Sequence, residues 1–149
     1  MVGCKLMMQY YYLLYPLSVN HYWGRKGKIT FVTPKAQEFK RFVWATYKTK
    51  YTPFDCDVAI TNIVLHPKMT KSGNSYKKVC DIDNPFKCIL DSLKGIAYHD
   101  DAQVKCLGQI VYGEPKWGGG IEFVVSPWDC KQNQIILDNN QKVYDLCKT

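Results

Sequence analysis

The sequence lacks the spacing signatures of a zinc or disulfide scaffold. Its seven cysteines, at positions 4, 56, 80, 88, 106, 130 and 147, contain no Cys-x-x-Cys pair, and its three histidines form no cluster. A zinc knuckle needs such spacing. Small secreted disulfide scaffolds carry even cysteine counts, so this odd set reads as reduced thiols in a cytoplasmic protein, several of them buried as small apolar residues. No apolar run is long enough to cross a bilayer, which takes about twenty residues. The opening Met1 to Leu17 is interrupted by Lys5, Gln9 and a run of tyrosines. With no small-residue cleavage site after it, this segment reads as a buried β-strand and not as a signal peptide. Internal repeats and long linkers are also missing, which points to one domain over 1–149.

What is present is a globular composition, 46% hydrophobic and 22% charged, with a net charge of +7. Acids are scarce where bases are dense. Between Gly24 and Lys50 the only acid is Glu38, against the eight bases Arg25, Lys26, Lys28, Lys35, Lys40, Arg41, Lys48 and Lys50. From His66 to Lys78 there is no acid, while Lys68, Lys71, Lys77 and Lys78 recur. The acids gather instead at Asp81, Asp83, Asp91, Asp100 and Asp101, five of the thirteen in the chain. Basic flanks around an acidic cluster suit a metal-dependent nuclease, because lysines hold phosphates and carboxylates hold the cation. The same pattern is also compatible with an ordinary solvated surface.

Local signals predict the elements. A first strand runs from about Lys5 to Leu14 and ends in the turn-prone Pro16-Leu17-Ser18-Val19-Asn20. A loop over His21 to Lys28 leads to a short extended piece at Ile29 to Val32. Thr33 then caps a helix with Pro34 at its first position, and Ala36, Phe39, Val43 and Tyr47 form its apolar stripe. Val58 to Leu65 is β-branched and reads as a strand covered on both faces, ended by His66-Pro67. Thr70 to Tyr76 reads as an exposed loop. Asp83 or Asn84 is expected to cap a second helix, with Pro85 at its first position, a stripe of Phe86, Leu90, Leu93 and Ala97, and Gly95 as its end. Gln103 to Tyr112 and Ile121 to Val125 are expected to form a hairpin. Gln134 to Leu137, a turn at Asn139-Asn140 and a return through Val143 complete the chain.

The chemistry concentrates in Cys80-Asp81-Ile82-Asp83-Asn84-Pro85-Phe86-Lys87 and in Asp100-Asp101. On an extended segment Asp81 and Asp83 face one way, with Cα atoms about 6.6 Å apart. Two carboxylates this close repel one another, a cost that a divalent cation removes. Magnesium suits such all-oxygen ligands. Lys87 follows Asp83 by about one helical turn and is placed to offset charge on a bound phosphate. Asp91 is placed to orient it at i, i+4, or to pair with Lys94 at i, i+3. Alone, however, Asp-x-Asp-Asn commonly just caps a helix, and Asp100-Asp101 alone can be a plain turn.

Taken together, these residues resemble the RusA family of Holliday junction resolvases. The resemblance is carried by Asp81-Ile82-Asp83-Asn84 with Lys87, Asp91 and Leu93, by Asp100-Asp101-Ala102-Gln103-Val104, by Pro16-Leu17-Ser18-Val19-Asn20-His21-Tyr22, and by Thr33-Pro34. It spans about residues 10 to 125. It implies an α+β fold: a single compact domain with a mixed β-sheet of about four to six strands and two main helices, forming a homodimer. It further implies magnesium-dependent paired nicking of four-way DNA junctions in recombination and repair, with manganese as a substitute ion. By position, Asp81, Asp83 and Asp101 would be the essential metal-binding carboxylates, Asp100 a weaker one, and Lys87 the essential lysine. Cutting two opposed strands also calls for two active centres.

The chain departs from the family at Pro85, where an apolar residue such as leucine is usual, and at Val79-Cys80, where a basic run is usual. The lysines stand upstream instead, at Lys77 and Lys78, and the candidate DNA contacts are Arg25, Lys26, Lys68, Lys71, Lys77 and Lys78. The tail after Pro127 has no counterpart, and 127–149 reads as a C-terminal extension. Tyr22, Trp23 and Trp117 are candidates for stacking on unpaired bases, although most aromatics fill cores. His21, His66 and His99 read as loop residues, with His99 near enough to Asp100 to test. Two alternatives stand beside the resolvase: a non-catalytic branched-DNA-binding accessory protein, and a nuclease cutting flaps or forks.

Overall fold

The computed structural model describes residues 8–74 and 81–128. The first strand, β1 (Gln9–Leu13), leads into the short helix α1 (Val19–Tyr22). A two-stranded ribbon follows, β2 (Trp23–Lys26) and β3 (Ile29–Val32), then the helix α2 (Pro34–Tyr47) and the long strand β4 (Val58–His66). Helix α3 (Phe86–Leu93), a single 3-10 turn at Asp101–Gln103, and the strands β5 (Val104–Leu107), β6 (Ile110–Tyr112) and β7 (Gly120–Pro127) complete the order. The fold is α+β as expected, and the described residues form three helices, a mixed five-stranded sheet and the separate β2–β3 ribbon.

The main sheet runs β1-β7-β4, with β5 and β6 in tandem along the other side of β4. β7 is antiparallel to both β1 and β4, whereas β5 and β6 are parallel to β4. The expected hairpin between 103–112 and 121–125 is therefore corrected, because the two segments flank β4 on opposite sides and never pair. The single strand expected over 103–112 is also split in two. Asn62 takes a positive φ of 53° on β4, which breaks the regular ladder. Opposite that break, Gly108 donates its N–H to the carbonyl of Ile60 at 2.8 Å. A Cβ on Gly108 would lie 3.2 Å from the Cα of Thr61, so the chain passes close to β4 at the step from β5 to β6.

Strand alternation builds the core. Tyr11 and Leu13 of β1, Ile121, Phe123 and Val125 of β7, and Ile60, Ile63 and Leu65 of β4 are buried with Ala36, Phe39, Val43 and Tyr47 of α2. Burial of such side chains supplies the main driving force for folding. On α3 the buried set is Phe86, Cys88, Ile89, Ser92 and Leu93, while Leu90 is only partly covered, so the expected stripe is shifted. α2 begins as expected, with Thr33 Oγ1 accepting from the Ala36 N–H. α3 does not. Pro85 occupies its N-cap position and no side chain caps it, so neither Asp83 nor Asn84 plays the expected role. Gly95, at a φ of 75°, ends the helix, as expected.

The outer edge of β1 is closed by phenols. Tyr47 Oη accepts from the Tyr12 N–H at 3.0 Å and donates to the Tyr12 carbonyl at 2.7 Å. Tyr51 Oη does the same for Tyr10, at 3.2 and 2.7 Å. The backbone groups that an edge strand would leave open are thus paired. His66 is not a loop residue. It ends β4, is buried, and lies 3.2 Å from Glu122 through Nε2. Among the described residues, Cys88 and Cys106 form no disulfide, and burial pushes the Cys88 thiol up to about 11. The expected strand at 134–137 and the turn after it lie outside the described residues. Among the described residues, no helix is long and apolar enough to cross a membrane.

Candidate active site

The segment Asp81–Pro85 is a turn and not the extended piece expected from its sequence. The Asn84 N–H donates to the Asp81 carbonyl at 3.1 Å, and Asn84 Nδ2 donates to Asp81 Oδ2 at 3.1 Å. Asp81 and Asp83 are both exposed. This turn is bound to the amino-terminal motif, since the Val19 N–H of α1 donates to the Asn84 carbonyl at 2.9 Å. Two motifs far apart in sequence are therefore joined by one backbone contact.

Asp91 is the centre of a charged network on α3. Its Oδ1 lies 3.1 Å from Lys87 Nζ and 3.8 Å from Lys94 Nζ, so both pairings expected from sequence are present. Its Oδ2 accepts from Tyr22 Oη at 2.6 Å, and Lys40 Nζ donates to the same Tyr22 oxygen at 3.2 Å. The Asp91 side chain is 11% exposed. Burial alone would push its carboxyl up, but the hydrogen bonds from Tyr22 and Lys87 outweigh that and hold it below the usual carboxylate range. Tyr22 responds in the opposite sense: burial, then its bond to Asp91, raises the phenol. Tyr22 is fully buried, which corrects the expectation that it stacks on bases.

The Asp100-Asp101 pair divides its work. Asp100 Oδ1 accepts from the Ala102 N–H at 2.9 Å and caps the 3-10 turn. Gln103 Oε1 accepts from the N–H groups of His99 and Asp100, and its Nε2 donates to the carbonyls of Phe54 and Cys56 at 2.9 and 2.8 Å. Gln103 thereby ties the acidic turn to the chain entering β4. Asp101 turns the other way, with Oδ1 3.1 Å from Lys94 Nζ. That contact holds the Asp101 carboxyl below its ordinary value and raises the Lys94 ammonium above its own. Lys94 also lies 4.0 Å from Asp100, so one ammonium faces three carboxylates.

Three of these partners carry no direct signal in the sequence. Lys94 was visible only as a neighbour of Asp91, and nothing in the spacing indicated that Asp101 would reach it. Tyr22 and Lys40 are contributed by α1 and α2, and no local pattern links them to α3. His99 does not join the acids beside it, because its Nε2 lies 2.8 Å from Asp55.

The all-oxygen donor set of Asp81, Asp83, Asp100 and Asp101 suits a hard dication. The side chains as arranged do not form its shell: among the described residues, no three acidic, histidine or cysteine groups stand close enough together to hold one ion. Of the candidate DNA contacts, Arg25 and Lys26 are exposed on β2, and Lys71 is exposed in the loop after β4. Lys68 is exposed too, with its ammonium 5.1 Å from the centre of the Tyr15 ring. Lys77 and Lys78 lie outside the described residues. Trp23 and Trp117 are exposed, at 43% and 70%.

The acids and lysines grouped around α3 beside a mixed sheet are compatible with a phosphodiester-cleaving protein. Residues 15–121 match the family model Endodeoxyribonuclease RusA. The match covers most of the chain and includes the Pro16–Tyr22 motif, the Asp81–Lys87 segment and Asp100-Asp101, so the chain belongs to the RusA endodeoxyribonuclease family. No protein with a curated description matches it.

Proposed function

We propose that this chain is a metal-dependent endonuclease that resolves four-way DNA junctions by paired nicks during recombination and repair, acting as a homodimer. One observation supports the reading most directly. The family match contains both the amino-terminal motif and the acidic cluster, and the described residues join them through Val19 to Asn84 and Tyr22 to Asp91. Residues that share no sequence neighbourhood are drawn to one place, as a reaction centre requires.

In this reading Asp81, Asp83 and Asp101 hold the ion, Asp100 contributes chiefly by capping the turn that carries Asp101, and Lys87 meets the phosphate. Magnesium, or manganese in its place, would supply an activated water and offset charge on the leaving oxygen. The protein's own contribution is orientation. Asp91 aims Lys87, the Asn84 carbonyl is anchored on α1, and Gln103 fixes the turn before Asp101. Arg25, Lys26, Lys68, Lys71, Lys77 and Lys78 are proposed to meet DNA phosphates, and such contacts make affinity fall steeply with salt. The domain is taken as 1–149, with 127–149 as an extension beyond the matched region.

The test is Asp83→Asn on a synthetic four-way junction, assayed beside forks, flaps and duplex. Nicking should be lost, while junction binding in calcium stays within about twofold. Retained cleavage removes Asp83 from the mechanism. Preferred cleavage of forks or flaps replaces the resolvase reading with the alternative nuclease, and binding without magnesium-dependent product by the unaltered protein replaces it with the accessory protein.

A further inference from the structure

A cleft of about 410 Å³ opens between α1 and the β2–β3 ribbon, lined by Val19, Asn20, Trp23, Gly24, Arg25 and Thr30. Its walls are pinned. Thr33, at the end of the ribbon, donates through Oγ1 to the His21 carbonyl at 2.7 Å, and through its N–H to the Tyr22 carbonyl at 3.0 Å. Across the ribbon, Gly24 lies under the Phe31 ring, where a Cβ would come within 2.5 Å of a ring carbon, so the two strands close tightly there. The Trp23 ring meets the buried Tyr22 ring edge-on, with centroids 4.9 Å apart and planes at 85°, and part of the indole stays open to solvent.

The chemistry of the lining selects an occupant. Arg25 stands in the cleft, Lys26 and Lys28 extend the same charge to the tip of the ribbon, and residues 24–32 include no acid. An anion is favoured. An exposed indole favours a flat aromatic group. The Asn20 amide offers a donor and an acceptor side by side, the pattern that reads a base edge. The volume falls within the range of pockets that hold small molecules.

We propose that this cleft seats one unpaired nucleotide of a DNA strand, its base on Trp23, its edge read by Asn20 and its phosphate held by Arg25. The inference rests on the nuclease reading and adds to it a base-reading subsite. The cleft borders the acidic turn through the Val19 to Asn84 hydrogen bond, and Trp23 contacts the Tyr22 that binds Asp91. A nucleotide seated there belongs to the strand presented to Asp81, Asp83 and Asp101.

The experiment uses four-way junctions carrying 2-aminopurine at one position at a time around the exchange point, with calcium in place of magnesium so that no strand is cut. Binding by the unaltered chain should quench the probe at one position through stacking. Trp23→Ala should abolish that quench and weaken junction binding roughly fivefold to a hundredfold, the range one base–aromatic stack commands. Because Trp23 packs on Tyr22, Trp23→Phe serves as the variant that keeps the fold, and it should retain part of the quench. Asn20→Ala should keep the quench but flatten the dependence on base identity. Arg25→Ala should reduce the slope of log affinity against log salt by about one. Quenching at no position, or a Trp23→Ala chain that binds and quenches like the original, overturns the inference while leaving the nuclease reading intact. An unaltered chain that binds no junction overturns both.

Discussion

The hydroxyl of Tyr22 donates to Oδ2 of Asp91 at 2.6 Å and joins α1 to α3 across 69 residues of sequence. It gives a largely covered carboxylate a fixed direction, and that carboxylate in turn holds Lys87. Tyr22→Phe removes the donor while keeping the ring. A hydrogen bond to a charged group is worth about 1.5 to 3 kcal/mol. Asp91 keeps its lysines, so the loss of stability in urea melts should lie near the lower end, about 1.5 kcal/mol. Junction nicking should fall while junction binding in calcium is kept. A melt superimposable on the original would show that the bond contributes nothing.

Acid should weaken the fold through the same carboxylate. Asp91 and Asp101 both sit below the ordinary carboxyl range in the folded chain. The native state therefore binds fewer protons than the unfolded state as pH falls through that range, and protonation favours unfolding. Their contribution is fully present above the unfolded value, about pH 4, and is lost as pH drops through the depressed folded values. Unfolding free energies measured between pH 6 and pH 2.5 should fall for the unaltered chain and fall less steeply for Asp91→Asn. Parallel curves would mean that Asp91 is not a source of the acid sensitivity.

What could be read from the sequence follows the range of the interactions. Thr33-Pro34 and the 36, 39, 43, 47 stripe specify α2 through contacts within one or two turns, and α2 forms as they require. The Asp91 pairings with Lys87 and Lys94 are equally local, and both are present. The partnership of β7 with β4 and β1 was not legible, because strand order is fixed by packing between distant segments and alternation is blind to it. The turn at Asp81–Pro85 departs from the expected extended segment for a related reason. Proline at 85 and the Asn84 to Asp81 bond bend a segment whose composition alone permits extension. The acidic cluster was visible as chemistry, but its counter-cation was not, since Lys94 meets Asp101 only once Gln103 has fixed the intervening turn.

Lys94 should compete with any cation that Asp101 holds. Its ammonium is 3.1 Å from Asp101, 3.8 Å from Asp91 and 4.0 Å from Asp100. Lys94→Met removes this competitor and leaves three carboxylates to repel one another. Without added metal the cost should stay within about 1 kcal/mol, because the pair with Asp101 is partly exposed. Manganese affinity, followed by loss of the free-ion resonance signal, should rise at least about fivefold, the factor that one unit charge at 4 Å makes in bulk water. Lys94→Arg should not show the gain. Weaker binding by Lys94→Met would show that Lys94 supports the ion site.

The phenols at the β1 edge carry the last expectation. Tyr47 and Tyr51 each accept from and donate to one residue of that strand, and their rings stack on one another at 6.1 Å. Tyr47→Phe and Tyr51→Phe keep the rings and delete four hydrogen bonds between them. A net hydrogen bond contributes about 0.5 to 1.5 kcal/mol, and more is lost where the abandoned backbone group stays away from water. The Tyr12 bonds are partly buried and the Tyr10 bonds are exposed. Tyr47→Phe should therefore be the costlier change, at about 2 kcal/mol in urea melts, and Tyr51→Phe should lose about half of that. The double variant frees the N–H and carbonyl of both Tyr10 and Tyr12 on one edge, which is a template for pairing with another chain. Light scattering should detect self-association of the double variant that rises with protein concentration beyond that of either single change. If scattering is unchanged while the melts shift as expected, the phenols stabilise the fold without guarding the edge.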